Sequence, residues 1–223
     1  MRRTALGLAA LTAASLLAAG HADAAKVSCK MITDGSGDAA VETLPTPAND
    51  NDDILSADIA SNAKTITVVI RLKALAYPDP QWLPGRAYNV NFSLKSSPYD
   101  EIFFAARTFP QGVQYHLGHR ETLPPLGSSS NIYDYAATGS MDTAKGEIRI
   151  SAPISELAKL AKLAKGTVIK GASASAERLV GQGVVPSQTV NGNRIPLGGF
   201  RYQADLSDGS KPYTLGAPSC VKP

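Results

Sequence analysis

Acidic and amide side chains crowd one stretch of this chain. Asp34 and Asp38 lie in the turn-rich run DGSGDA; Asp52 and Asp53 close the run ANDNDD, beside Asn49, Asp50 and Asn51. Hard oxygen donors in this number suit Ca2+, which takes roughly six to eight oxygen ligands. The spacing is not that of an EF-hand loop. The four aspartates form a calcium site only if DGSGDA folds back on the next strand's entrance; otherwise Asp, Asn and Gly simply build turns.

A second group is aromatic. Trp82, with Tyr77 and Tyr88, could stack on sugar rings, or Trp82 could anchor the proline-rich connection YPDPQWLPG by burying its large face. Only 6% of the chain is aromatic, which leaves few residues for a sugar platform. His116 and His119, with Met31 or Met141, raise a metal or haem site. On a strand, however, a spacing of three places the two imidazoles on opposite faces. Gly-x-Ser-x-Gly, HExxH and phosphate-binding glycine loops are absent, and Glu101, Glu121 and Glu147 are scattered acids, so no catalytic residue is assigned.

These groups must be positioned by strands. Ile54–Ala60 and Thr65–Leu72 read as neighbours joined by a polar turn at Ser61–Lys64. In the second strand Ile66, Val68, Ile70 and Leu72 face one way and Thr65, Thr67, Val69 and Arg71 the other, a period of two with one buried face. Further strands are expected at Lys26–Ile32, Arg86–Leu94, Ile102–Thr108, Gly112–Gly118, Asn131–Ala137, Glu147–Ala152 and Thr167–Ala176, with weaker signals near Phe200–Ala204. Leu123–Ser130 reads as loop and Gly139–Lys145 as turn. Ser155–Lys165 predicts the single helix, capped by Ser155 and ended by Gly166, with Leu157, Leu160 and Leu163 on its apolar stripe. It is too short to hold a membrane surface strongly and suits covering an open end of the sheets. The fold class is therefore all-β: an antiparallel two-sheet sandwich with one short amphipathic helix.

Met1 to Ala24 read as a signal peptide, with Arg2 and Arg3, a short apolar core and an Ala-x-Ala site at Ala22–Ala24. Its removal leaves 20 basic and 18 acidic residues, a balance that argues against a nucleic-acid partner. No second apolar run follows, so no membrane span is expected in the mature chain, and secreted or extracytoplasmic placement is. Residues 26–223 suit a single domain. Cys29 and Cys220 are the only cysteines, and in an exported chain they most simply form one disulfide across the domain's two ends.

In order, then, come DGSGDA, a Pro/Asn/Asp loop, DDILSADIA, TITVVIRL and PGRAYNVNF, and later GSMDTAKGEIRISAPISEL and GASASAERL. This arrangement resembles the DOMON-like β-sandwich domains related to the family-nine carbohydrate-binding modules, over about Asp34 to Arg178; the stretch from Val180 departs from that pattern. The resemblance implies two packed antiparallel sheets and non-catalytic binding, to sugars in some members and haem in others, with a calcium near the acidic edge. The expectation is an exported binding module for a glycan or envelope component, stabilised by Ca2+. A hydrolase with an unrecognised site and a structural or inter-protein module are the alternatives.

Overall fold

The computed structural model describes residues 29–40, 48–79, 85–123, 128–164, 166–179, 187–190, 193–196, 201–207 and 209–223. The leader assigned to Met1–Ala24 and Trp82 lie outside them. Among the described residues, fifteen strands and one helix follow in chain order: β1 Ile32–Thr33, β2 Ile54–Ser61, β3 Thr65–Leu72, β4 Arg86–Ser93, β5 Glu101–Phe109, β6 Gly112–Leu123, β7 Ser128–Ala136, β8 Thr138–Asp142 and β9 Glu147–Pro153, then helix α1 Ile154–Leu160, β10 Val168–Leu179, β11 Ser187–Val190, β12 Asn193–Pro196, β13 Arg201–Leu206, β14 Gly209–Ser210 and β15 Tyr213–Thr214.

They form two antiparallel sheets, as the alternating patterns require. One runs β14-β1-β2-β3-β9-β8 and the other β13-β10-β4-β5-β6-β7, with β15 also on β10 and β11-β12 as a separate pair. The core lies between the sheets. Ile66, Val68, Ile70 and Leu72 of β3 meet Tyr88, Val90 and Phe92 of β4 and Ile102, Phe104 and Ala106 of β5 in one apolar cluster. The opposite face of β3 is buried as well, contrary to the one-sided reading. Thr67 bonds Ser151 at 2.8 Å, and Val69 packs with Ala60 and Val221 of the C-terminal segment. Cys29 and Cys220 are disulfide-bonded, with 5.2 Å between their Cα atoms.

Several element boundaries depart from the sequence reading: β1 is only Ile32–Thr33, β6 runs on to Leu123 and β7 starts at Ser128, both reaching into the stretch expected as loop, and β10 runs on to Leu179. The stretch Gly139–Lys145, expected as turn, gives its first half to β8, which pairs with β9 at the sheet edge with Met141 opposite Ile148. Pairing with a well-formed neighbour overrides the poor strand propensity of Gly and Ser. Helix α1 ends at Leu160, because Ala161 turns to extended backbone. Pro153 rather than Ser155 holds the cap position, and proline suits a helix entrance because it lacks an N–H. Leu157 and Leu160 are buried against the core, while Ser96 and Ser97 donate to the carbonyls of Lys162 and Leu160 at 2.7 and 3.1 Å, so the helix does cover one end of the sandwich.

At the other end, Gly85 precedes β4 with φ +112°, and a Cβ there would lie 2.0 Å from the Thr108 carbonyl oxygen. Only glycine tolerates that approach, and it admits the turn that delivers Arg86 inward.

Candidate functional site

The loop bearing Asp34 and Asp38 does fold back on the entrance of β2. Asp53 draws it in: the Gly37 N–H donates to Asp53 Oδ2 at 2.7 Å, with Lys73 Nζ 3.6 Å away on the same oxygen. Asp34 and Asp38 there meet a third carboxylate, Asp205 of β13. One oxygen from each lies within 4.8 Å of the others. Asp205 is 7% exposed and rigidly held, accepting from the Ile54 N–H at 2.6 Å and the Leu206 N–H at 2.9 Å. Beside the triad opens a polar cleft of about 200 Å³ lined by Asp38, Ala40, Gln203, Ala204, Asp205 and Leu206.

Like charges this close cannot all ionise cheaply. Burial, followed by the charges of Asp205 and Asp38, pushes the Asp34 carboxyl up to about 7. Burial also raises Asp205, and the Asp38 charge adds to it against the two backbone N–H bonds. Asp34 Oδ2 is buried with no hydrogen-bond partner. A proton or a cation relieves such a cluster.

Asp52 and Asp53, read as fellow ligands, lie apart from the triad. Asp52 is fully buried and clamped by two buried arginines. Its Oδ1 accepts from Arg86 Nε at 2.8 Å and its Oδ2 from Arg178 Nη2 at 2.5 Å and Nε at 3.1 Å. The Asn49 N–H donates to Oδ2 at 2.9 Å, and Asp79 pairs with Arg86 from the other side. Burial opposes ionisation of Asp52, but the hydrogen bonds from Arg178 and Arg86 outweigh it and hold the carboxyl below its ordinary range. With both oxygens taken by guanidinium groups, Asp52 has none left to ligate a metal ion, and the two arginine charges beside it would repel one. Asp53 serves the triad indirectly, by holding its loop.

The aromatic group does not assemble either. Tyr88 is 1% exposed in the core, its hydroxyl donating to the Asn51 carbonyl at 3.1 Å, and burial raises its pKa. Tyr77 is half-buried and donates to the Phe109 carbonyl at 3.0 Å. These two tyrosines therefore offer no shared surface. The histidines lie on opposite faces of β6, as their spacing requires. His119 has Nδ1 2.6 Å from Asp134 and Nε2 3.0 Å from Glu121, and its ring stacks on Tyr99, so neither nitrogen is open to a metal. Met31 is buried in the core.

Comparison with family models, curated proteins and solved structures returns no match. The site therefore rests on its own geometry. Asp205 was not legible beforehand: it stands far along the chain, in a strand with weak signals, and no local motif marks it. Among the described residues, no helix is long and apolar enough to cross a membrane.

Proposed function

We propose that this chain is an extracytoplasmic, non-catalytic binding sandwich for a glycan or envelope component, with Ca2+ held at its edge by Asp34, Asp38 and Asp205. The convergence of three carboxylate oxygens within 4.8 Å, one of them on a fixed strand, supports this reading. The adjoining cleft offers room for water to complete the oxygen shell that calcium needs. The disulfide fits an oxidising compartment.

The elevated Asp34 supplies the test. Its carboxyl rises from 3.8 to about 7 on folding, so the folded protein keeps a proton that the unfolded chain has released. The associated stability is full below the unfolded value and is lost as pH rises through about 7. In EDTA the melting temperature should fall between about pH 4 and pH 7 and level off above that. Excess Ca2+ should flatten that decline, adding about 2.7 kcal/mol at a hundredfold excess over Kd. Asp38→Asn, at an exposed position, should fold normally and lose the calcium heat in titration calorimetry. No heat and no change in melting for the parent protein sinks the cation reading.

A hydrolytic reading draws on the same carboxyl, since an acid near 7 is poised for general acid–base work. Asp205, with both oxygens on backbone N–H groups, is a poor partner for it. Turnover of ester, glycoside or peptide substrates, abolished in Asp34→Asn, would replace the binding proposal.

A further inference from the structure

Asp34 is followed by Gly35, and the pair lies just past the end of a ladder. β1 stops at Thr33, and neither residue belongs to a strand. Ser36 and Gly37 make the turn that follows, with Gly37 at φ +86°. Asp34 and Gly35 are half-buried, while Ser36, Gly37 and Asp38 are exposed. Water therefore reaches this stretch from outside.

An aspartate before glycine is able to react with its own backbone. Its carboxyl carbon and the next amide nitrogen close a five-membered ring. Glycine has no Cβ to obstruct that closure and the widest choice of backbone angles with which to reach it. Two things protect a folded aspartate: a side chain turned away from that nitrogen, or a nitrogen tied into a ladder. Asp34 has neither. Its carboxyl is folded back on the following peptide, where the Gly35 N–H donates to Asp34 Oδ1 at 3.1 Å. Groups poised to react lie about 3–3.5 Å apart. Asp34 Oδ2 has no hydrogen-bond partner, so nothing ties down the oxygen that would leave.

From this geometry we infer that the Asp34–Gly35 junction is a site of spontaneous isomerisation, through a cyclic imide, that dismantles the acidic triad. The Gly35 nitrogen bonds to Asp34 Cγ and the Cγ–Oδ2 bond breaks. Oδ2 leaves as water, taking the carboxyl proton and the amide proton. Water then opens the ring at either carbonyl. Attack at Cγ restores aspartate; attack at the main-chain carbonyl routes the backbone through Cγ and leaves a carboxylate on Cα. The overall composition is unchanged, and no oxidant or reductant takes part. The isoaspartate backbone is one methylene longer and its carboxylate arm one carbon shorter. That shift moves the Gly37 N–H relative to Asp53 Oδ2, its acceptor at 2.7 Å, and withdraws the Asp34 carboxylate from Asp38 and Asp205. The turn alone carries this chemistry; only calcium's effect on it rests on the binding role proposed above.

The test ages the full mature chain at neutral pH in oxygen-18 water, in EDTA and in excess Ca2+, beside the same chain unfolded in guanidinium chloride. Peptide mapping counts label and isoaspartate at position 34. In EDTA the folded chain should stay within tenfold of the unfolded rate, and Gly35→Ala should slow the reaction tenfold or more. That variant should fold, because Gly35 is outside the left-handed region and the added Cβ meets only the exposed Asp38 side chain, at 2.8 Å. Asp34→Glu, which would need a six-membered ring, should give no isomer. A folded rate more than tenfold below the unfolded one, or a Gly35→Ala rate equal to the parent's, overturns the inference. Ca2+ bound at Asp34 should slow the loss. Isomerisation that proceeds equally in EDTA and Ca2+ sinks only the cation reading; calcium heat with no isomer formed in EDTA sinks only this one.

Discussion

Replacing Asp52 by asparagine should cost the fold about 3–5 kcal/mol, the usual penalty for breaking a buried ion pair from one side. Arg86 and Arg178 are 1% and 0% exposed, and both direct Nε–H donors at Asp52. Removing the carboxylate takes away the charge that both buried guanidinium groups share, while Asp79 still pairs with Arg86. Against a typical total of ~5–15 kcal/mol, that loss would populate unfolded chain at growth temperature. A urea melt reads it as a large drop in midpoint; a midpoint shift worth under ~1 kcal/mol would mean the arginines are satisfied without Asp52. The same residue sets the acid limit. Its carboxyl is depressed in the fold, so its contribution is present above 3.8 and lost as pH falls through the lower folded value. Acid unfolding of the parent should be steep there and shallower in Asp52→Asn.

The second large effect is expected at the disulfide. It closes a loop of 191 residues, for which chain entropy alone gives roughly 5 kcal/mol as an upper figure and measured losses run about 2–5. Cys220 also fastens the segment that carries Val221, which covers Ala60 and Val69, and Lys222, whose carbonyl accepts from Arg149 Nη1 at 2.7 Å. The Cys29→Ser/Cys220→Ser double variant should melt well below the oxidised parent and match the parent under reductant. Amide exchange should rise first in β2 and β3, whose outer faces the segment shields. Identical melting in oxidised and reduced protein would make the bond ornamental.

The strand pattern was legible because period-two alternation of Ile, Val and Leu reports one buried face directly. It failed where burial comes from elsewhere. Val69 and Thr67 read as outward residues of β3, and they are, but Val221 of a distant C-terminal segment covers Val69, and Thr67 is buried against Ser151 of β9. Residues 139–142, Gly-Ser-Met-Asp, carry no β-branched or aromatic side chain and joined β8 only through their partner. The helix was over-read because its Leu/Lys rhythm continues to Leu163 while the backbone leaves the helix at Ala161. At the edge, Asp34 and Asp38 were found by composition and Asp205 was not, since a carboxylate delivered by the sheet leaves no local trace. Asp52 looked like a fellow ligand because sequence shows its charge and conceals Arg86 and Arg178.

The strand order has a consequence for how the molecule is made. β3 is flanked by β2 and β9, with Thr65 opposite Pro153, and β4 by β5 and β10, with Tyr88 opposite Ala176. When synthesis reaches β5, the middle strands of both sheets each have one partner and one open ladder of N–H and C=O groups. The partners that close them arrive late, and such long-range pairing gives folding in milliseconds to seconds rather than microseconds. Until then two apolar strands with free edges invite pairing with other chains. Yield in an overexpressing cell should therefore be limited by aggregation before β9 and β10 emerge rather than by the stability of the finished sandwich.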